Sequence, residues 1–179
     1  MAKAWIGLGS NLGDRLWHLR RGLGLVAALF GTKVVAVSSV YDTAPLGTTD
    51  QPRFLNAVAA LETGLEPRAL LRELQRIERV SGRERRERWG PRTLDLDLLV
   101  YEGRVESGPE FEVPHPRMLG RAFVLVPLAE IAPDLVVPGQ TATARELADR
   151  AAADAPDLRR VAEPLEVRRI ADPPHGTVG

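Results

Sequence analysis

Residues 4–9 (Ala-Trp-Ile-Gly-Leu-Gly) form a short apolar run closed by glycine, which predicts a buried strand. The period then changes. Leu12, Leu16, Leu19, Leu23, Val26 and Phe30 recur at spacings of three and four, giving a helix one apolar face, with Ser10 or Asn11 as its cap and Gly31 as its stop. The β-branched residues 34–41 predict a second strand, followed by a loop holding Pro45, Gly47 and Pro52. Residues 54–62 alternate, with Leu55, Ala57, Ala59 and Leu61 on one side and Phe54, Asn56, Val58 and Ala60 on the other. A second helix opens at Glu66-Pro67, where proline suits the first turn, and Leu70, Leu71, Leu74 and Ile77 supply its buried face. Residues 94–101 read as a fourth strand.

The order β-α-β-β-α-β predicts an α+β fold on the ferredoxin-like plan, an antiparallel sheet with its helices on one face. The other face or an edge is then open for a site. C-terminal helical additions are expected at about residues 117–131, broken at Pro127, and near 143–153, where Thr143-Ala144-Arg145-Glu146 fits a capping box. Segment 102–112 carries no motif. The chain end is rich in charge, proline and glycine, so the expected division is a domain over residues 1–160 and a poorly ordered tail over 161–179.

Composition narrows the function classes. The 179 residues are 44% hydrophobic and 27% charged, as in soluble globular proteins. With 24 basic and 24 acidic side chains the formal charge is zero, which argues against a general nucleic-acid binder. The absence of cysteine excludes disulfides, thiolate metal sites and cysteine nucleophiles. The N-terminus lacks the shape of a signal peptide, and no apolar run reaches the roughly 18–20 residues of a membrane span, so a cytoplasmic protein is expected.

The stretch with chemical content runs from Arg83 to Leu98. Leu94, Leu96 and Leu98 face one side of the predicted strand, Asp95 and Asp97 the other. Carboxylates two residues apart, about 6–7 Å at the backbone, can bracket divalent ions, and hard oxygen donors suit Mg²⁺. Arg83, Arg85, Arg86, Arg88 and Arg92 precede them around the stiff turn Trp89-Gly90-Pro91. Guanidinium forks match phosphate oxygens. Pattern alone also allows a solvated polar strand face and an arginine run neutralised by Glu84 and Glu87. The chain has no G-x-x-x-x-G-K-[ST] motif, so it is not a P-loop enzyme, and its three histidines lack zinc-type spacing. His115, in the rigid segment Val113-Pro114-His115-Pro116-Arg117, is open to a structural or a ligand-facing role.

Five segments together resemble the 6-hydroxymethyl-7,8-dihydropterin pyrophosphokinases of folate biosynthesis. They are Gly9-Ser10-Asn11-Leu12-Gly13, Tyr41 to Gly47, Asp50 to Asn56, Arg88-Trp89-Gly90-Pro91-Arg92-Thr93-Leu94-Asp95-Leu96-Asp97, and Pro114-His115-Pro116-Arg117-Met118. The likeness runs in order from residue 4 to about 150. It implies that residues 1–160 are a pyrophosphokinase domain moving the β,γ-diphosphate of ATP to the pterin's hydroxymethyl group, with release of AMP. It implies two Mg²⁺ ions on Asp95 and Asp97, with Arg83 and Arg92 as catalytic cations. Contacts to ATP would come from Gln75, Glu78, Arg85, Trp89 and Arg92, and from Leu98, His115 and Arg121. The pterin would stack between Phe123 and Trp89, with Phe54, Asn56 and the Thr43-Ala44-Pro45-Leu46 loop around its edge. The implied partners are these two small molecules, with no nucleic acid, membrane or obligate protein.

Overall fold

The computed structural model describes residues 1–45, 50–82 and 93–168. In chain order these residues form β1 (Ala2–Ser10), α1 (Arg15–Ala27), β2 (Thr32–Val37), β3 (Val40–Thr43), β4 (Phe54–Thr63), α2 (Pro67–Val80) and β5 (Asp95–Tyr101). There follow β6 (Glu106–Ser107), β7 (Glu112–Val113), a 3₁₀ turn at Met118–Gly120, α3 (Ala122–Ile131), α4 (Ala144–Ala153) and β8 (Arg159–Ala162). The fold is mixed α+β, as expected. The main sheet runs β5-β1-β4-β3-β8, with β2 also pairing β4, and every pairing is antiparallel. No helix among the described residues is long and apolar enough to cross a membrane.

Alternation along the central strands splits the sheet between two cores. Ala4, Ile6 and Leu8 of β1, Leu55, Ala59 and Leu61 of β4, and Leu96 and Leu98 of β5 pack on one face with Leu19, Leu23 and Val26 of α1 and Leu70, Leu74 and Ile77 of α2. On the other face Trp5, Val58, Ala60, Leu99 and Val100 meet Val124, Leu125 and Leu128 of α3 and Leu147 and Ala148 of α4. Thus α3 and α4 cover only part of the second face. The remainder, at the C-terminal end of β1 and the N-terminal ends of β4 and β5, carries Gly7, Gly9, Asn56, Asp95 and Asp97 and is left open to a pocket.

Several local expectations are corrected. The cap of α1 is Asp14, whose carboxylate accepts from the Trp17 N–H, rather than Ser10 or Asn11. Asn11 is instead buried and its amide donates to Gln51 Oε1 and the Pro52 carbonyl, holding the loop before β4. Leu12 and Phe30, read as part of the apolar stripe, are solvent-exposed. The strand expected over 34–41 is interrupted at Ser38-Ser39, where Ser38 Oγ accepts from the Val58 N–H and the Ser39 N–H and hydroxyl both donate to Glu130 of α3. Pro127 does not break α3; the helix begins after the 3₁₀ turn and runs through the proline. In β5 a bulge sends both Leu99 and Val100 to the second core, and Tyr101 returns to the first. The capping box at Thr143 and Glu146 is present, and residues 102–112 supply the β6–β7 hairpin.

Among the described residues strand β5 pairs with β1 alone, so some of its outward N–H groups need partners elsewhere. Glu78 of α2, 2% exposed, accepts from the Leu96 N–H at 2.8 Å and ties the carboxylate-bearing strand to the helix. Replacing Glu78 with alanine orphans that donor in a dry setting, with an expected cost of about 1–3 kcal/mol in unfolding free energy by urea titration. An unchanged midpoint would show that the bond contributes nothing.

Candidate active site

A cavity of about 270 Å³ opens on the uncovered half of the second sheet face. Strand pairing sets Asp95, Gly9 and Asn56 in one row across β5, β1 and β4, with Asp97 beside Gly7 in the next. Neighbouring strands lie about 4.8 Å apart, so the Asp95 and Asn56 backbones are about 10 Å apart with a glycine strand between them. The glycine is needed there. A Cβ built on Gly9 would stand 3.1 Å from Asn56 Oδ1 and 3.8 Å from the Asp95 Cβ, filling the floor between the carboxylates and the amide.

The walls come from three other segments. The end of β3 and the residues after it contribute Thr43, Ala44 and Pro45, and Phe54 stands opposite Thr43 in the register of β3 and β4. The segment after β7 is fastened to β5 by the His115 N–H donating to the Leu99 carbonyl at 2.8 Å, which carries the imidazole to the carboxylate end of the sheet. The first turn of α3 supplies Phe123, and the Arg121 guanidinium lies 5.6 Å from the centre of that ring. A flat apolar surface and a cluster of cations therefore adjoin two carboxylates.

Charge in this corner is mutually adjusted. Burial lowers the Arg121 pKa, and Asp97 and then Asp95 act against that loss while Arg117 adds to it. Burial also pushes the His115 imidazole below its ordinary 6.5, reinforced by Arg121 and Arg117 and opposed by Asp95. His115 Nδ1 accepts from the Arg117 N–H at 3.2 Å, so the neutral ring carries its proton on Nε2 and can donate it to a ligand oxygen. The folded value lies below the unfolded one, so this contribution to stability is present above about pH 6.5 and lost as pH falls through the folded value. Titration of the His115 ring by NMR is expected to give a midpoint below 6.5; a midpoint at or above it would contradict the buried, cation-flanked setting.

Asn56 is 7% exposed, and its amide nitrogen has no hydrogen-bond partner among the described residues. A buried donor without an acceptor is costly, and this one lines the cavity. Asp95 and Asp97 are half-buried on the same face as the cavity. No group of three or more His, Cys, Asp or Glu side chains suited to a metal occurs among the described residues. Two carboxylates beside open space suit Mg²⁺, which takes few protein ligands and completes its shell with water and phosphate oxygens.

Of the residues singled out from sequence, Thr43, Ala44, Phe54, Asn56, Asp95, Asp97, His115, Arg121 and Phe123 converge on this cavity. Three do not line it. Leu98 points into the opposite core, Glu78 is turned to the backbone of β5, and Gln75 is exposed on α2. Leu46, Arg83, Arg85, Trp89 and Arg92 lie outside the described residues. Gly9, Gln51 and Arg117 also line the cavity and had not been singled out for it. All three stand inside the recognised motifs, and Gln51 is also joined to Asn11, forty residues away.

A sequence profile of the family 7,8-dihydro-6-hydroxymethylpterin-pyrophosphokinase matches residues 5–133. A 2-amino-4-hydroxy-6-hydroxymethyldihydropteridine pyrophosphokinase of Methylorubrum extorquens is 50% identical over 141 residues, 79% of this chain and 89% of that protein. A protein of the same name from Haemophilus influenzae is 49% identical over 138 residues, 77% of this chain and 86% of the other. Among solved structures, a Plasmodium falciparum HPPK-DHPS triple mutant superposes with a TM-score of 0.67 at 16% identity, over 85% of this chain. The match spans 44% of that longer chain, and at this identity it speaks for the fold alone.

Proposed function

The chain belongs to the 7,8-dihydro-6-hydroxymethylpterin-pyrophosphokinase family, and we propose that it transfers the β,γ-diphosphate of ATP to the hydroxymethyl oxygen of 6-hydroxymethyl-7,8-dihydropterin in folate biosynthesis. The observation that carries the reading is the row Asp95–Gly9–Asn56, a metal-binding edge and a pterin-reading edge separated by a bare strand.

The pterin lies over the glycine strand against Phe123, where ring stacking and apolar burial favour a flat bicycle. The unpartnered Asn56 amide finds acceptors on the heterocycle's rim, and Thr43, Ala44 and Phe54 close the side. This directs the hydroxymethyl group toward β5. There Asp95 and Asp97 would hold two Mg²⁺ ions, whose positive charge would offset that of the triphosphate in an in-line displacement. Arg121 offers its fork to phosphate oxygens, and His115 donates from Nε2. The hydroxymethyl oxygen forms a bond to the β-phosphorus as the bond from that phosphorus to the bridging oxygen of the α-phosphate breaks; AMP leaves with that oxygen, and the hydroxyl proton passes to solvent. No side chain serves as a covalent nucleophile. Arg83, Arg85, Arg92, Trp89 and Leu46 are assigned on motif alone, the arginines and Trp89 to ATP, Trp89 and Leu46 to the pterin. Gln75 and Glu78 of α2 are likewise assigned to ATP on the resemblance.

The strand order, with β1 and β4 central, β5 on one side and β2 and β3 on the other, supports the ferredoxin-like reading. The catalytic domain is assigned to the chain from residue 1 through at least Leu165, beyond the boundary expected at 160, because β8 pairs β3 as far as Ala162 and Leu165 packs into the core; the protein is assigned to the cytoplasm. The deciding assay is AMP release from ATP and Mg²⁺, with and without the pterin. AMP that appears only with both substrates supports diphosphotransfer; ADP, or no turnover with the pterin bound, overturns it.

A further inference from the structure

The connection from α4 to β8 lies beyond the residues 5–133 matched by the family profile, yet it reaches back to the pocket wall. At the end of β3 the chain leaves the sheet, and the Ala44 N–H finds its acceptor in the Asp157 carboxylate at 3.1 Å. Ala44 lines the cavity; Asp157 does not. The same carboxylate oxygen stands 3.4 Å from Arg53 Nη2, which also donates to the Asp157 carbonyl at 3.1 Å. Arg53 in turn pairs with the buried Asp42 of β3, and its own carbonyl accepts from Arg15 of α1 at 2.8 Å. Thus Asp157 joins both ends of the 44–53 loop, its departure at Ala44 and its return at Arg53.

Asp157 is itself held in place. Immediately after it, β8 pairs along β3 with Asp42 opposite Arg159 and Tyr41 opposite Arg160. Further on, Leu165 is 6% exposed and belongs to the core that α1 and α2 form with the sheet. The strap is thus anchored by strand pairing and by a core side chain, with Asp157 at the turn before them. A surface ion pair alone contributes little. A carboxylate accepting a backbone N–H that has left its sheet fixes the direction of the chain at a residue touching the ligand space.

We propose that Asp157 is a positioning residue for the heterocycle-binding wall, acting through the Ala44 backbone so that the C-terminal strap sets affinity for the pterin and not for ATP. This rests on the pocket being the pterin site described above. The test is steady-state AMP release by the full-length chain, with pterin and ATP varied separately, for wild type, Asp157→Ala and Asp157→Asn, alongside thermal melting. Asp157→Ala is expected to raise the pterin KM about fivefold, the size of one ordinary hydrogen bond, with the ATP KM and kcat within about twofold of wild type. Asp157→Asn keeps an acceptor for the Ala44 N–H and should recover most of that loss. An unchanged pterin KM in Asp157→Ala overturns the inference, as does an equal rise in both KM values. Equal impairment of the two variants also overturns it, because the effect would then belong to the Arg53 ion pair. Failure of the underlying function reading is separate, since it appears as absent pterin-dependent AMP release in the wild type.

Discussion

Asp97→Ala is expected to lower kcat for AMP release by at least about 10³-fold while leaving the melting temperature within a few degrees of wild type. The size follows from the role. A carboxylate that anchors an ion on the transferring phosphates contributes in the transition state, where preorganised charge is worth about 3–4 kcal/mol per donor and metal ions commonly more. The modest change in stability follows from position. Asp97 is half-buried on the pocket side of β5, while the neighbours that hold that strand, Leu96 and Leu98, belong to the opposite core. Removing Asp97 also removes a charge that acts against the burial-driven lowering of the Arg121 pKa. Steady-state kinetics over a range of Mg²⁺, with circular dichroism to check folding, decides the matter. Near-wild-type kcat at saturating Mg²⁺ would sink the metal assignment.

The parts of this fold that could be read from sequence are those where periodicity acts locally. Alternation in β4 divides Leu55, Ala59 and Leu61 from Asn56, Val58 and Ala60 as the pattern requires. The spacing in α2 identifies the face that meets β5. Misreadings occur where a distant group outbids the local signal. Asn11 looks like a helix cap because Asx residues favour caps, but its amide is engaged by Gln51 and Pro52. Ser38 and Ser39 sit in a β-branched run, yet Val58 and Glu130 draw them out of regular pairing. The bulge at Leu99 and Val100 has no signature of its own, and it decides that Val100 joins Leu99 on the second face while Tyr101 turns to the first.

The candidate site shows the same division. Asp95 and Asp97 were legible because leucines alternate with them, and His115, Arg121 and Phe123 because they sit in or just after a dense motif. The Leu98 side chain belongs to the opposite core, as its alternation with Asp97 requires, so an ATP contact at this residue would fall to its backbone. Asp157 was illegible, since only the course of the chain from α4 to β8 brings it to Ala44. Local pattern can locate chemistry on an element; it cannot reveal which remote backbone a side chain will hold.

Asn56→Ala is expected to separate function from stability. Its amide nitrogen is buried without a partner among the described residues, so the folded protein without ligand bears the desolvation cost of that group, about 1–3 kcal/mol. Deleting the amide relieves this penalty and forfeits some packing beside Gly9, two changes of opposite sign. The melting temperature should therefore stay level or rise. Catalysis should fall steeply, because polar groups on the pterin rim would be left unpaired in a dry pocket, the circumstance in which discrimination is largest. The expected loss in kcat/KM for the pterin is about 10²–10³-fold, the worth of roughly 3–4 kcal/mol of hydrogen bonding. The KM for ATP should be nearly unchanged, since Asn56 lies about two strand spacings from Asp95. Separate titrations of the two substrates, with a thermal melt of each protein, give the answer. A destabilised variant with wild-type pterin KM would make Asn56 a structural residue and remove the strongest link between this cavity and the heterocycle. A stable variant that binds ATP and fails only on the pterin would show that the protein holds a folding cost in reserve for its substrate, a form of the stability–activity trade-off.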